Sequence, residues 1–102
     1  LCFQGHTHIP GVFTIAPEFV AAAVGPGTTE VRMVLPATKA MINVGSVGQP
    51  RDNDPRSCYV IVEDFETVRY RRIKYDMQVT CDKIYNIPEL DNFLGDRLLV
   101  GR

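Results

Sequence analysis

The chain has 102 residues, enough for one modest core and within the usual range of a single domain. Hydrophobic residues make up 45% and charged residues 23%, a globular balance unlike that of disordered, fibrous or membrane-embedded chains. A formal net charge of −1 supplies no long-range attraction to nucleic acid or an anionic membrane, and the longest apolar run, 19–24, is far shorter than the roughly 20 residues of a spanning helix.

Leu1 to Gln4 is a short apolar run ending at Gly5, the pattern of a buried strand that delivers a loop. The loop is His6-Thr7-His8, closed by the turn signal Ile9-Pro10-Gly11. Val12 to Ile15 fits a second strand. Phe19 to Val24 is either a third strand or a helical turn, because so short a run has no diagnostic period. Gly25-Pro26-Gly27 breaks the chain, and beyond it Val31, Met33 and Leu35 alternate as on a strand that Pro36 ends. Met41 to Val44 reads as a strand entering the loop Gly45-Ser46-Val47-Gly48-Gln49-Pro50-Arg51, which runs on to Pro55.

Ser57 to Glu63 is apolar on both faces and predicts a strand buried on both. A turn over 64–66 returns the chain as Thr67 to Tyr75, with Arg69 and Arg71 alternating with Val68 and Tyr70 and one face wet. Arg69, Arg71, Arg72 and Lys74 are expected on that solvated face. Asp76 is placed to cap a short helix over Met77 to Tyr85, and Pro88 to open a second whose Leu90, Phe93, Leu94 and Leu98 form one apolar stripe. No repeat, low-complexity tract or long linker divides the chain, so residues 1–102 belong to one domain. Cys2, Cys58 and Cys81 form an odd set without CxxC spacing, which argues against a disulfide framework and for a reducing, cytoplasmic setting.

Chemistry concentrates in Gly5-His6-Thr7-His8. The two histidines of the chain stand here, two residues apart on a loop, and each can offer a ring nitrogen to a cation. Gly5 leaves the backbone room to approach a metal centre. Two ligands fall short of the three or four that a zinc site takes, and a His-x-His considered alone is more often an ordinary surface loop or an incidental pair.

Followed by Ile9-Pro10, the block resembles the last ligand block of the calcineurin-like metallophosphoesterases. Asn43-Val44-Gly45-Ser46-Val47-Gly48 resembles the Asn-Pro-Gly-Ser-Val-Gly stretch that follows it in that family, with Val44 where proline is usual. The likeness is to the bacterial and archaeal phosphodiesterase-like branch, clear over 1–12 and 41–76, fair over 77–102 and weak over 14–40. It implies an α/β (α+β) fold, a four-layer αββα sandwich of which this chain is the C-terminal part, mostly strands with two C-terminal helices. It also implies a hydrolase of phosphodiester or phosphoanhydride bonds in small molecules, using two divalent ions drawn from manganese, iron, zinc or nickel.

In that resemblance His6 ligates one ion and His8 the other. Gly5, Asn43, Gly45 and Ser46 form loops beside the site. Arg51 is a candidate phosphate contact, because a guanidinium matches phosphate oxygens bidentately, although an arginine in such a loop is more often simply a surface residue. No catalytic acid or nucleophile is expected in the chain itself. The family's Asp-x-His, Gly-Asp and Gly-Asn-His blocks precede Gly-His-x-His and are not found in these residues; Gly95-Asp96 follows the histidines and falls inside the second helix. The chain opens at Leu1 directly on the motif, the pattern of a C-terminal portion. By itself it is expected to be inactive and to need an N-terminal half. Without that half it should self-associate, because the strand 57–63 would lack one covering layer. The alternative is a non-catalytic interaction or structural module with a vestigial histidine pair. A nucleic-acid-binding domain would need a basic face, and Glu63, Asp64 and Glu66 precede the arginine cluster.

Overall fold

The computed structural model describes residues 1–16 and 18–102. Its elements are β1 (Cys2–Gln4), β2 (Gly11–Thr14), β3 (Phe19–Ala21), β4 (Glu30–Val34), β5 (Ala40–Asn43), β6 (Ser57–Glu63), β7 (Thr67–Ile73), α1 (Met77–Tyr85) and α2 (Phe93–Val100). The strands form two sheets, ordered β1-β5-β2-β3 and β4-β7-β6. The run that periodicity left open is β3, fixed as a strand by antiparallel pairing with β2.

The sheets share one core. Val12, Ala40 and Ile42 come from the first sheet and Cys58, Val68 and Tyr70 from the second, with Ala22, Val24 and Leu35 between them. Tyr70, on the central strand of the second sheet, reaches across: its hydroxyl lies 2.8 Å from the Gly11 carbonyl and 3.0 Å from that of Asn43. Its single proton serves either acceptor and ties β7 to β2 and β5. Burial drives this phenol well above its ordinary range, so it stays a donor.

Four expectations are corrected. β1 forms, but Phe3 is 46% exposed, because among the described strands β1 lies at the sheet edge with β5 alone beside it. β6 is also an edge strand rather than one sealed on both faces, and the centre of its sheet is β7, where Val68, Tyr70 and Arg72 are buried in alternation. Arg72 therefore faces the core instead of water. A period of two sends adjacent Arg71 and Arg72 to opposite faces. Finally, Pro88 does not open the second helix. Residues 87–92 form turns, and α2 begins at Phe93, whose amide donates to the Asp91 side chain.

Asp76 caps α1 as the sequence predicts, accepting the Gln78 amide. The two helices pack on each other rather than across a sheet, which leaves an elongated molecule of 49 × 26 × 19 Å. The close approach is made at Gly95, where an added Cβ would sit 2.5 Å from the Tyr85 ring. The apolar stripe contracts accordingly: Gly95 and Leu98 are buried, Leu94 is half-buried, and Phe93 and Leu90 stay exposed. Asp96 is exposed and accepts the Tyr85 hydroxyl at 2.7 Å.

Candidate metal-ligating turn

β1 ends at Gln4 and hands the chain to a tight turn in which the His8 amide donates to the Gly5 carbonyl at 3.0 Å. His8 adopts φ 62, a left-handed conformation uncommon for a residue with a Cβ, and such conformations gather where the surroundings over-determine them. Two bonds do so here. The Arg51 amide donates to the His8 carbonyl at 3.3 Å, and His8 Nδ1 lies 2.7 Å from the Gln49 carbonyl. A carbonyl can only accept, so Nδ1 carries a proton, and in the neutral ring Nε2 is then the nitrogen with a free lone pair. That tautomer is the one in which metal-ligating histidines are commonly held by a carbonyl or carboxylate. His6, two residues earlier, is exposed.

The second sequence-predicted block lies directly against the turn. The Val44 amide donates to Gln4 at 2.8 Å and prolongs the parallel pairing of β1 with β5, a bond that proline at this position could not supply. Gly45 takes φ 78, and an added Cβ would fall 2.9 Å from Cys58 Sγ, so glycine is required here on both counts. Burial pushes the Cys58 thiol up to about 11, leaving it an inert packing group. Ser46 Oγ accepts the Gln49 amide at 2.9 Å and shapes the loop that presents the Gln49 carbonyl to His8. Gly5 rests against the Gly45 carbonyl, 3.4 Å from where its Cβ would stand. Arg51 is exposed and donates to Gln49 Oε1 at 2.9 Å, close to the turn through its backbone bond to His8.

The fold thus brings together Gly5, His6, His8, Asn43, Gly45, Ser46 and Arg51. Sequence reasoning did not identify Thr7 or the Gln49 carbonyl. Thr7 sits inside the motif and could have been flagged. A backbone carbonyl acts whatever its side chain is, so no residue type announces it. Among the described residues no group of three or more His, Cys, Asp or Glu side chains is placed to hold a metal ion. The donor set still fits part of such a site: one imidazole has a fixed tautomer and a free ring nitrogen, with a second exposed beside it.

A separate charged cluster was not foreseen. Arg56 is buried and donates to Asp54 and to the carbonyls of Val24, Gly25 and Thr28. Arg72 donates to Asp52 and to the Arg56 carbonyl. Burial pushes the Asp52 carboxyl above its ordinary value despite the Arg72 charge. Burial acts on Asp54 in the same sense, but there the Arg56 hydrogen bonds and both guanidinium charges outweigh it and hold the carboxyl low. A cavity of about 540 Å³ is lined by Val24, Pro26, Asp52, Asp54, Arg56 and Lys74, none of them in the histidine turn. Its arginine is already committed to Asp54 and to carbonyls, so the cluster holds the 52–56 loop in place.

No family model matches the chain. It is 35% identical over 105 residues to an uncharacterized protein of Methanocaldococcus jannaschii, covering 100% of this chain and 40% of the relative. In structure it is similar to a metallophosphoesterase from Sphaerobacter thermophilus, with a TM-score of 0.83, 30% identity and coverage of 99% of this chain and 42% of that one. The structural likeness extends across residues 14–40, where the sequence resemblance is weak. The chain spans about two fifths of the length of these relatives, and over nearly all of its own length it has the fold of the corresponding part of a metallophosphoesterase.

Proposed function

We propose that the chain supplies the two-histidine portion of a two-metal phosphoesterase that hydrolyses phosphodiester or phosphoanhydride bonds of small molecules, the other ligands coming from residues outside these 102. The observation that carries this reading is the His8 ring, held through Nδ1 by the Gln49 carbonyl so that Nε2 is the nitrogen left for a metal, in a turn of constrained backbone. The fold shared with a metallophosphoesterase supports it. A pair of divalent ions bound there would supply Lewis acidity toward the phosphoryl group and activate water.

His6 and His8 serve as holders, not as acids. The proton of His8 sits on Nδ1 and is committed to Gln49, so a ligating His8 has none to pass to a leaving group. The Arg51 guanidinium, anchored by one bond to Gln49 Oε1, keeps further donors for a phosphate oxygen. The test uses the full-length protein loaded with manganese. His6→Ala and His8→Ala should each lower bound metal from about two ions toward one, and each should cut hydrolysis of a bis-aryl phosphodiester by at least about tenfold. Unchanged stoichiometry in both variants places the ligands elsewhere and leaves the chain a structural module.

A further inference from the structure

The histidine turn is fastened at one more point, on neither histidine. Asn43 closes β5 and has no exposed surface. A buried side-chain amide is tolerated only where its polar atoms find partners, and here both do. Nδ2 donates to Thr7 Oγ1 at 2.5 Å, and Oδ1 accepts the Gly45 amide at 3.1 Å. Thr7 is exposed and stands between the two histidines, so the side-chain bond from the protein interior to the His6-Thr7-His8 turn is made through its hydroxyl. The Asn43 carbonyl in turn accepts from Tyr70, which carries the tie into the second sheet.

We infer that Asn43 and Thr7 are positioning residues that set the separation and aim of the two imidazoles before any metal arrives. The inference rests on the metal-holding reading of His6 and His8. With the tie in place, binding need not order the turn. Without it, His8 keeps its bond to Gln49, while among the described residues His6 has only the turn's backbone to hold it. The loss should therefore fall mainly on the ion that His6 holds. Partners of this outer kind are worth about 10–100-fold in metal affinity.

The experiment takes Thr7→Val and Thr7→Ser in the full-length protein, because an isosteric change at an exposed position removes the acceptor alone, where replacing buried Asn43 also empties its place in the core. Manganese titration by calorimetry should show one of the two ions bound at least about tenfold more weakly in Thr7→Val, with the other nearly unchanged. In the metal-free protein the His8 amide, which closes the turn, should exchange its hydrogen faster. Thr7→Ser keeps the hydroxyl and should restore both readouts. If Thr7→Val binds manganese and exchanges hydrogen as the parent does, while His8→Ala loses an ion, the tie does not position the histidines and the inference fails alone. If His8→Ala also leaves manganese binding untouched, the metal reading fails and takes the inference with it.

Discussion

The outer faces of the two sheets are covered by opposite means. On the second sheet Arg32 reaches Glu63 at 2.6 Å, Arg69 reaches Glu63 at 3.2 Å and Glu30 at 3.4 Å, and Arg71 reaches Glu30 at 3.3 Å. Register sets Tyr59 opposite Arg71 and Ile61 opposite Arg69, so long arginine stems flank the apolar residues that β6 turns outward. On the first sheet Cys2, Met41, Phe13 and Phe19 meet in register, and Met41 and Phe19 remain 39% and 41% exposed. The open apolar face therefore belongs to the first sheet. Among the described elements none packs over the outer face of 57–63, in keeping with the expected missing layer; the cross-strand arginine stems give that face partial cover and leave its residues half-buried.

The largest effect is expected where charge lies on the inner face. Arg72→Ala strips Asp52 and Asp54 of a buried partner, and breaking such a pair should cost about 3–5 kcal/mol in urea denaturation. An unchanged midpoint would mean that the cluster is ornamental. Tyr70→Phe removes a hydrogen bond between the sheets and should cost about 1 kcal/mol, the usual net worth of such a bond.

Acid should act on the same cluster more mildly. Asp54 has a folded pKa below its ordinary 3.8, so its contribution is present above that value and is lost as pH falls through the folded one. Asp52, raised by burial, acts in the opposite sense: its contribution is lost as pH rises through its folded value. Asp54→Asn should therefore flatten the fall in stability below pH 4, read by thermal melts across pH. A melt series parallel to the parent's would contradict this.

The outer faces should yield the smallest stability changes. Arg32→Ala, on an exposed ion pair, should shift stability by less than about 1 kcal/mol, and less still in high salt. Met41→Lys on the first sheet should leave the fold intact yet reduce any concentration-dependent light scattering of the purified chain. Equal scattering would show that this face does not drive association.

Much of this architecture was legible because short alternating runs bounded by Gly and Pro mark strands whatever their partners. Asp76, at the start of α1, was legible through capping chemistry. What escaped were properties of partnership. Nothing local says that β6 lies at an edge, that Arg72 finds Asp52 twenty residues away, or that α1 and α2 pair with each other. At the site the histidines were visible as residue types. The Gln49 carbonyl that fixes the His8 tautomer and the Thr7 to Asn43 bond arise only when the two loops meet.

The state of the His8 ring tests the account most directly. In nitrogen-15 spectra of the imidazoles of metal-free protein, His8 should show a protonated Nδ1 and an unprotonated Nε2, and added zinc should move the Nε2 signals of both His6 and His8. A His8 protonated on Nε2, or ring signals that ignore zinc, would contradict the assignment of this turn as a metal-ligating one.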